Sequence, residues 1–258
     1  MDRAAFKDPS FQESIFAFNF EPVPKIERYA YDFENRLRSI FEKDVIVTKV
    51  PDDAPPNIPR FVLTSKNRVF EVSELNAVLK MTFKGIDNAQ AFNLYLEKAK
   101  KIFDCVKAVG SIKIESFGSS ALFHYVLKDF NYSVSDAVFE RFFKIEKPSN
   151  FRSVSFILNE KIDDIQVKNM VDSYEMRQKH VKIEAKGIVP GEEKKVYIKF
   201  APAEMEVTER GLLNRVEIVT DDIKKDDPKG ADTLFDKVLN WPMDYLAGSA
   251  EKFIFGGK

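Results

Sequence analysis

Three residues of this chain have the types and spacing that could do chemistry: Asp172, and the pair Glu184 and Lys186 in Glu184-Ala185-Lys186. An aspartate followed by Glu-x-Lys on a strand is the arrangement a Mg²⁺-dependent nuclease uses. The two carboxylates hold the hard cation through oxygen, and the lysine positions or activates the attacking water. Side chains alternate along a strand, so Glu184 and Lys186 share a face. The series Lys182, Glu184, Lys186 is equally what a solvated strand face shows, in a chain with 40 Lys+Arg and 41 Asp+Glu. The solvated face is the leading reading and the nuclease is the alternative.

Other groups offer less. Asp221, Asp222, Asp226 and Asp227 lie in the loop DDIKKDDPKG and are weak candidates for a cation. The loop lacks the glycine and terminal glutamate of an EF-hand, and Lys224 and Lys225 neutralise it. The two histidines, His124 and His180, are far apart and have no cysteine or second histidine at ligand spacing, so zinc is not expected. His124 falls between Leu122 and Val126 by parity, which suits a hydrogen-bonded core or groove histidine. His124, Tyr125 and Tyr197 are the ligand-binding candidates. The single cysteine, Cys105, sits beside the buried stripe of a helix and reads as a small hydrophobe. No Walker, dinucleotide-binding or nucleophile-elbow motif is present, and ten glycines leave little for phosphate-cradling loops. No cofactor is expected.

Composition narrows the classes further. Net charge is −1, and neither half of the chain is basic: residues 1–130 carry 19 Lys+Arg and 18 Asp+Glu, and residues 131–258 carry 21 and 23. Bulk electrostatics therefore do not favour nucleic acid. One cysteine permits no intrachain disulfide, so a cytoplasmic setting is expected. The start, MDRAAFKDPSFQES, is polar and shows no signal-peptide core, and no apolar run is long enough to span a membrane. The 24 Phe beside one Trp supply unusual apolar area for packing.

Periodicity gives the elements that must position these residues. Residues 14–20 alternate as a strand. Ile26, Ala30, Phe33, Leu37, Ile40 and Phe41 then fall on one helical stripe within 24–43. Residues 59–83 read as a three-strand meander in which Phe61, Leu63, Phe70, Val72, Leu79 and Met81 face one way. A helix over 89–109 follows, with Gly110 as its expected C-cap. A strand pair at 111–127 should break at Gly118-Ser119-Ser120. The second half offers a helix at 135–144, strands near 151–158, 165–174 and 214–220, and a hairpin at 180–200 turning at Pro190-Gly191. A final helix over 231–254 should kink or restart at Pro242, with Asn240 as a cap. The order predicts an α+β fold of two modules, 1–130 and 131–258, each an antiparallel sheet with helices on one face and the seam near 128–150.

Three stretches carry a resemblance: FNFEPVPKIERYAYDF leading into a helix, the meander PRFVLTSKNRVFEVSELNAVLKMTF, and the terminal FDKVLNWPMDYLAGSAEKFIF. Together they resemble a sporadically distributed family of uncharacterised bacterial proteins of about this length. In that family the meander turn is Asp-Gly where this chain has Lys66-Asn67, and the terminal helix often carries a histidine that this chain lacks. The resemblance implies no known activity. Its patchy distribution implies a mobile-element or defence context.

The sequence thus leads to a non-catalytic cytoplasmic binding or sensor protein, with a protein partner or a second copy of itself on the sheet face that no helix covers. The alternatives are the nuclease built on Asp172, Glu184 and Lys186, and a structural or assembly subunit paired through edge strands.

Overall fold

A computed structural model describes residues 1–51, 53–110, 112–129, 133–143, 154–179, 183–184, 199–200, 205–223 and 228–256. The fold is α+β. The first strand, β1 (Ser10–Phe20), is followed by a short 3₁₀ turn, helix α1 (Ala30–Leu37) and a two-residue strand β2 (Ile46–Val47). The expected meander is present as β3 (Phe61–Ser65), β4 (Arg68–Val72) and β5 (Asn76–Thr82). Helix α2 (Asn88–Ala108) leads to β6 (Ile114–Val126) and α3 (Val134–Phe142). Then come β7 (Ser155–Ile162), β8 (Ile165–Lys179), the two-residue strands β9 (Ile183–Glu184) and β10 (Lys199–Phe200), and β11 (Met205–Thr220). Helix α4 (Pro228–Asp244), a π turn (Tyr245–Ser249) and α5 (Ala250–Phe255) close the chain.

Nine of these strands form one antiparallel sheet in the order β2-β3-β4-β5-β1-β6-β11-β8-β7. The expectation of two modules placed a seam after residue 130. Instead β6 pairs with β11 along nine positions, from Gly211 opposite Val126 to Val219 opposite Gly118, and strands from both halves share a sheet and a core. The reason is visible in β6. Phe117, Ala121, Phe123 and Tyr125 line one apolar face along its whole length, and both β1 and β11 can pair with it. The expected break at Gly118-Ser119-Ser120 does not occur, since all three are in register with β1.

The helices lie on one face. Helix α1 covers the meander, where Phe33 packs 5.3 Å from Phe61 and 5.9 Å from Phe70 between ring centres. Helix α2 lies against β1, and α4 lies against β6 and β11. Phe103 of α2 stacks on Phe235 of α4 at 3.9 Å, and Phe16, Phe18 and Phe117 surround the pair. The phenylalanine excess is thus spent on one aromatic core, where offset and edge contacts add to area burial. Asp87 caps α2 by accepting from the Gln90 amide, and Asn88 ties its first turn to β1 through the Phe11 amide and the Pro9 carbonyl, both at 2.8 Å.

Three local expectations are corrected. Gly110 is not a left-handed cap; Val109 ends α2 with an extended backbone, its amide bonded to the Val106 carbonyl. Helix α4 runs through Pro242, and Asn240 caps nothing but donates to the Asp236 carbonyl at 2.8 Å. The irregularity comes three residues after the proline, as the π turn, where the Ala250 amide reaches the Tyr245 carbonyl. Packing of Val238, Leu239 and Tyr245 against the sheet outweighs the bond Pro242 removes.

Candidate functional site

The face of the sheet opposite the helices carries a group of ionisable and polar side chains from three adjacent strands. His124 of β6, Tyr174 of β8 and Glu209 of β11 converge there. Leu213 of β11 is opposite His124 on one side and opposite Asp172 on the other, so His124 and Asp172 lie two strands apart, about 10 Å between backbones. Tyr174 is one rung further along, opposite Gly211.

Gly211 makes the convergence possible. A Cβ at this position would overlap the Tyr125 carbonyl oxygen and lie 2.8 Å and 2.9 Å from the ring and hydroxyl of Tyr174. Without it, the Tyr174 ring lies across β11 and its hydroxyl reaches the Nε2 of His124. Glycine in a strand interior marks this kind of close approach.

The hydrogen bonds form a chain. Tyr174 donates to Glu209 Oε1 at 3.0 Å, so its oxygen accepts from the Nε2–H of His124. That tautomer leaves Nδ1 as the acceptor. Glu209 is also 3.5 Å from His124 Nε2. The His124 side chain is 18% exposed and Glu209 33%. Burial lowers the His124 pKa, opposed by the Glu209 charge. Burial, and then the bond to Glu209, raise the Tyr174 hydroxyl well above the ordinary phenol range. Near neutrality the imidazole and the phenol are therefore both neutral, so the group presents hydrogen-bond donors and acceptors.

Around it the same face mixes charge and apolar surface. Ion pairs cross strands at Lys168–Glu217 (3.2 Å), Lys80–Glu71 (2.7 Å) and, more loosely, Arg215–Glu13 (3.8 Å). Ile157, Met176 and Val219 expose 53%, 55% and 46% of their surface, and strand parity puts all three on this face. Beyond Gly211, β11 and β8 continue as a two-stranded ribbon to Met205 and Lys179, so the polar group sits where the ribbon leaves the sheet.

No family model matches the chain, and no curated protein is significantly similar to it in sequence.

The expected site residues fall as follows. His124 is in the group. Tyr125 is not: it is fully buried on the helix side, against Phe255 at 5.7 Å. Neighbouring strand residues point to opposite faces, so His124 and Tyr125 cannot serve one open surface. Asp172 lies on the open face and accepts a hydrogen bond from Ser155 Oγ of β7. From Asp172, β8 carries the chain about 23 Å onward to Lys179. Glu184 pairs through its backbone with Lys199; its side chain, Lys186 and Tyr197 lie outside what is described. Asp221 is engaged by Lys161 at 2.6 Å and Gln166 at 3.4 Å, and the Lys161 bond foremost lowers its pKa. Asp222 is exposed, and Asp226 and Asp227 are outside the described residues. Among the described residues, no three His, Cys, Asp or Glu are grouped to hold a metal. No described helix is long and apolar enough to cross a membrane. Cys105 is buried, and burial pushes its thiol up to about 12.

Sequence reading missed Tyr174, Glu209 and Gly211. Each is ordinary by itself, and the group assembles only through the β6-β11-β8 pairing. The one available signal was a glycine inside the alternating run before Thr220.

Proposed function

We propose that this is a non-catalytic binding protein that holds a macromolecular partner on the helix-free face of its sheet, with His124, Tyr174 and Glu209 as the polar anchor. The observation that carries this reading is the concentration, on one uncovered face, of a half-buried hydrogen-bonded chain and the exposed apolar side chains Ile157, Met176 and Val219. Partner-binding patches share this composition, with apolar contacts around a few well-placed polar groups. A protein partner in the cytoplasm fits the balanced charge and the lone buried cysteine. Resemblance to a sporadically distributed bacterial family suggests a mobile-element or defence setting.

The test is affinity capture from a lysate of the source organism, with and without nuclease, using wild type, Ile157→Asp, Tyr174→Phe and Glu184→Ala. A nuclease-resistant partner retained by wild type and Glu184→Ala, and lost with Ile157→Asp or Tyr174→Phe, is the expected result. A partner indifferent to both face variants refutes the reading. Metal-dependent cleavage of nucleic acid that disappears in Glu184→Ala would replace it.

A further inference from the structure

We infer that a cleft at the opposite end of the sheet binds a small molecule through a carboxylate or phosphate group, with Arg60 as the receiving cation. The cleft has a volume of about 580 Å³ and lies between the segment after Pro24, the chain from Val47 to Pro51, and the ends of β3 and β4. It lies four strands from His124, since β3 and β6 are separated by β4, β5 and β1, and it is independent of the partner reading.

Its walls are tied together by backbone bonds. The Thr48 amide donates to the Arg60 carbonyl at 2.8 Å, and the Arg60 amide to the Val72 carbonyl at 2.7 Å. Glu74 joins the other side: its carbonyl accepts from the Val23 amide at 2.8 Å, its amide donates to the Pro56 carbonyl at 3.0 Å, and its Oε1 accepts from the Lys25 amide at 3.1 Å. Lys25 holds a left-handed backbone, φ 56° and ψ 42°, which a non-glycine residue adopts at a cost. The Glu74 bond keeps the Lys25 amide facing inward and its side chain at the rim.

Arg60 is the unusual member. Only 6% of it is exposed, yet it lines the cleft. Among the described residues its contacts are long and fall on Nη2: 3.4 Å to the Ala54 carbonyl and 3.5 Å to Glu74 Oε2. Its Nε is buried with no acceptor among the described residues. A guanidinium has five N–H donors, and a buried cation without close acceptors is costly. Glu74 supplies little of the deficit: its Oε2 stands 3.5 Å from Nη2, and its Oε1 accepts from the Lys25 amide. Lys25 and Lys49 at the rim add positive charge, and among the described lining residues three cations face two carboxylates, Glu27 and Glu74. Carboxylate and phosphate match the planar donor fork of arginine. Val47, 42% exposed, offers an apolar contact for the rest of the ligand.

The experiment is a titration of the whole protein with sodium phosphate, phenyl phosphate and sodium benzoate, at ionic strength held constant with sodium chloride. Calorimetry and thermal melting are the readouts. Saturable binding of at least one anion is expected, weakened about tenfold in Lys49→Glu, the usual effect of losing one charge-assisted contact. Lys49 is exposed, so that variant folds even if Arg60→Lys does not. Where Arg60→Lys folds, it weakens binding by a similar factor. Binding of phosphates alone, or of benzoate alone, names the anion class and upholds the site. Melting unmoved by all three anions, or binding unchanged in Lys49→Glu, overturns it.

Discussion

Gly211→Ala is the substitution that most directly tests how the polar group is built. The added methyl would overlap the Tyr125 carbonyl oxygen on β6 and sit 2.8 Å from the Tyr174 ring. The first neighbour is backbone, so the two strands must part locally. Two ladder hydrogen bonds are then weakened, at about 1 kcal/mol each. Overpacking adds roughly 1–3 kcal/mol. The expected loss is about 4 kcal/mol, a large share of the roughly 5–15 kcal/mol that holds a domain together. For a chain of this size that corresponds to a melting point lower by about 10 °C. Gly118→Ala is the control. It lies on the same face, one strand away, but a Cβ there would meet Ala17 Cβ and the Ile218 carbonyl at 3.7 Å, ordinary contact distances. That variant should be neutral or gain a few tenths of a kcal/mol, because glycine restricts the unfolded chain least. Urea unfolding measures both. NMR titration of His124 gives a second readout, since displacing Tyr174 opens the imidazole to water and moves its pKa back up toward about 6.5. A Gly211→Ala variant within about 1 kcal/mol of wild type, with His124 titrating unchanged, would refute the cradle.

Two other outcomes are expected. The Tyr125 hydroxyl is buried without a hydrogen-bond partner among the described residues, so Tyr125→Phe should raise stability by about 1 kcal/mol in thermal melts, and a loss of that size would mean the hydroxyl is bonded. His124 has its pKa lowered by burial, so the unfolded chain takes up that proton first as pH falls; the stability the neutral imidazole contributes is complete above about pH 6.5 and declines below it, and urea unfolding of His124→Gln, which keeps a donor for Tyr174, should show a flatter pH dependence than wild type.

Much of the local structure was legible in the sequence because it follows from periodicity. The meander positions Phe61, Leu63, Phe70, Val72, Leu79 and Met81 are spaced two apart within each strand, and they are buried as a set. The 3.6-residue spacing of Phe92, Leu96, Ala99, Phe103 and Val106 gave α2 within one residue at each end, with Leu96 only partly buried. Parity likewise put His124 on the face of Leu122 and Val126, although pairing His124 with Tyr125 as one ligand surface ignored that rule. Glycine and proline positions misled at Gly110, Gly118 and Pro242, where neighbouring packing outweighed local preference.

The sequence by itself determined which residues face a core and which face away, since that depends on each strand or helix alone. Strand order was decided only in three dimensions. Nothing local distinguishes two sheets from one, because pairing β6 with β11 joins residues 85 to 101 positions apart, and its gain comes from burying one aromatic core rather than two smaller ones. That pairing also sets Gly211 between His124 and Tyr174 and brings Glu209 within reach. The same holds for Arg60 and Glu74, ordinary residues in sequence, whose environment comes from the packing of the Val47–Pro51 chain across the strand ends.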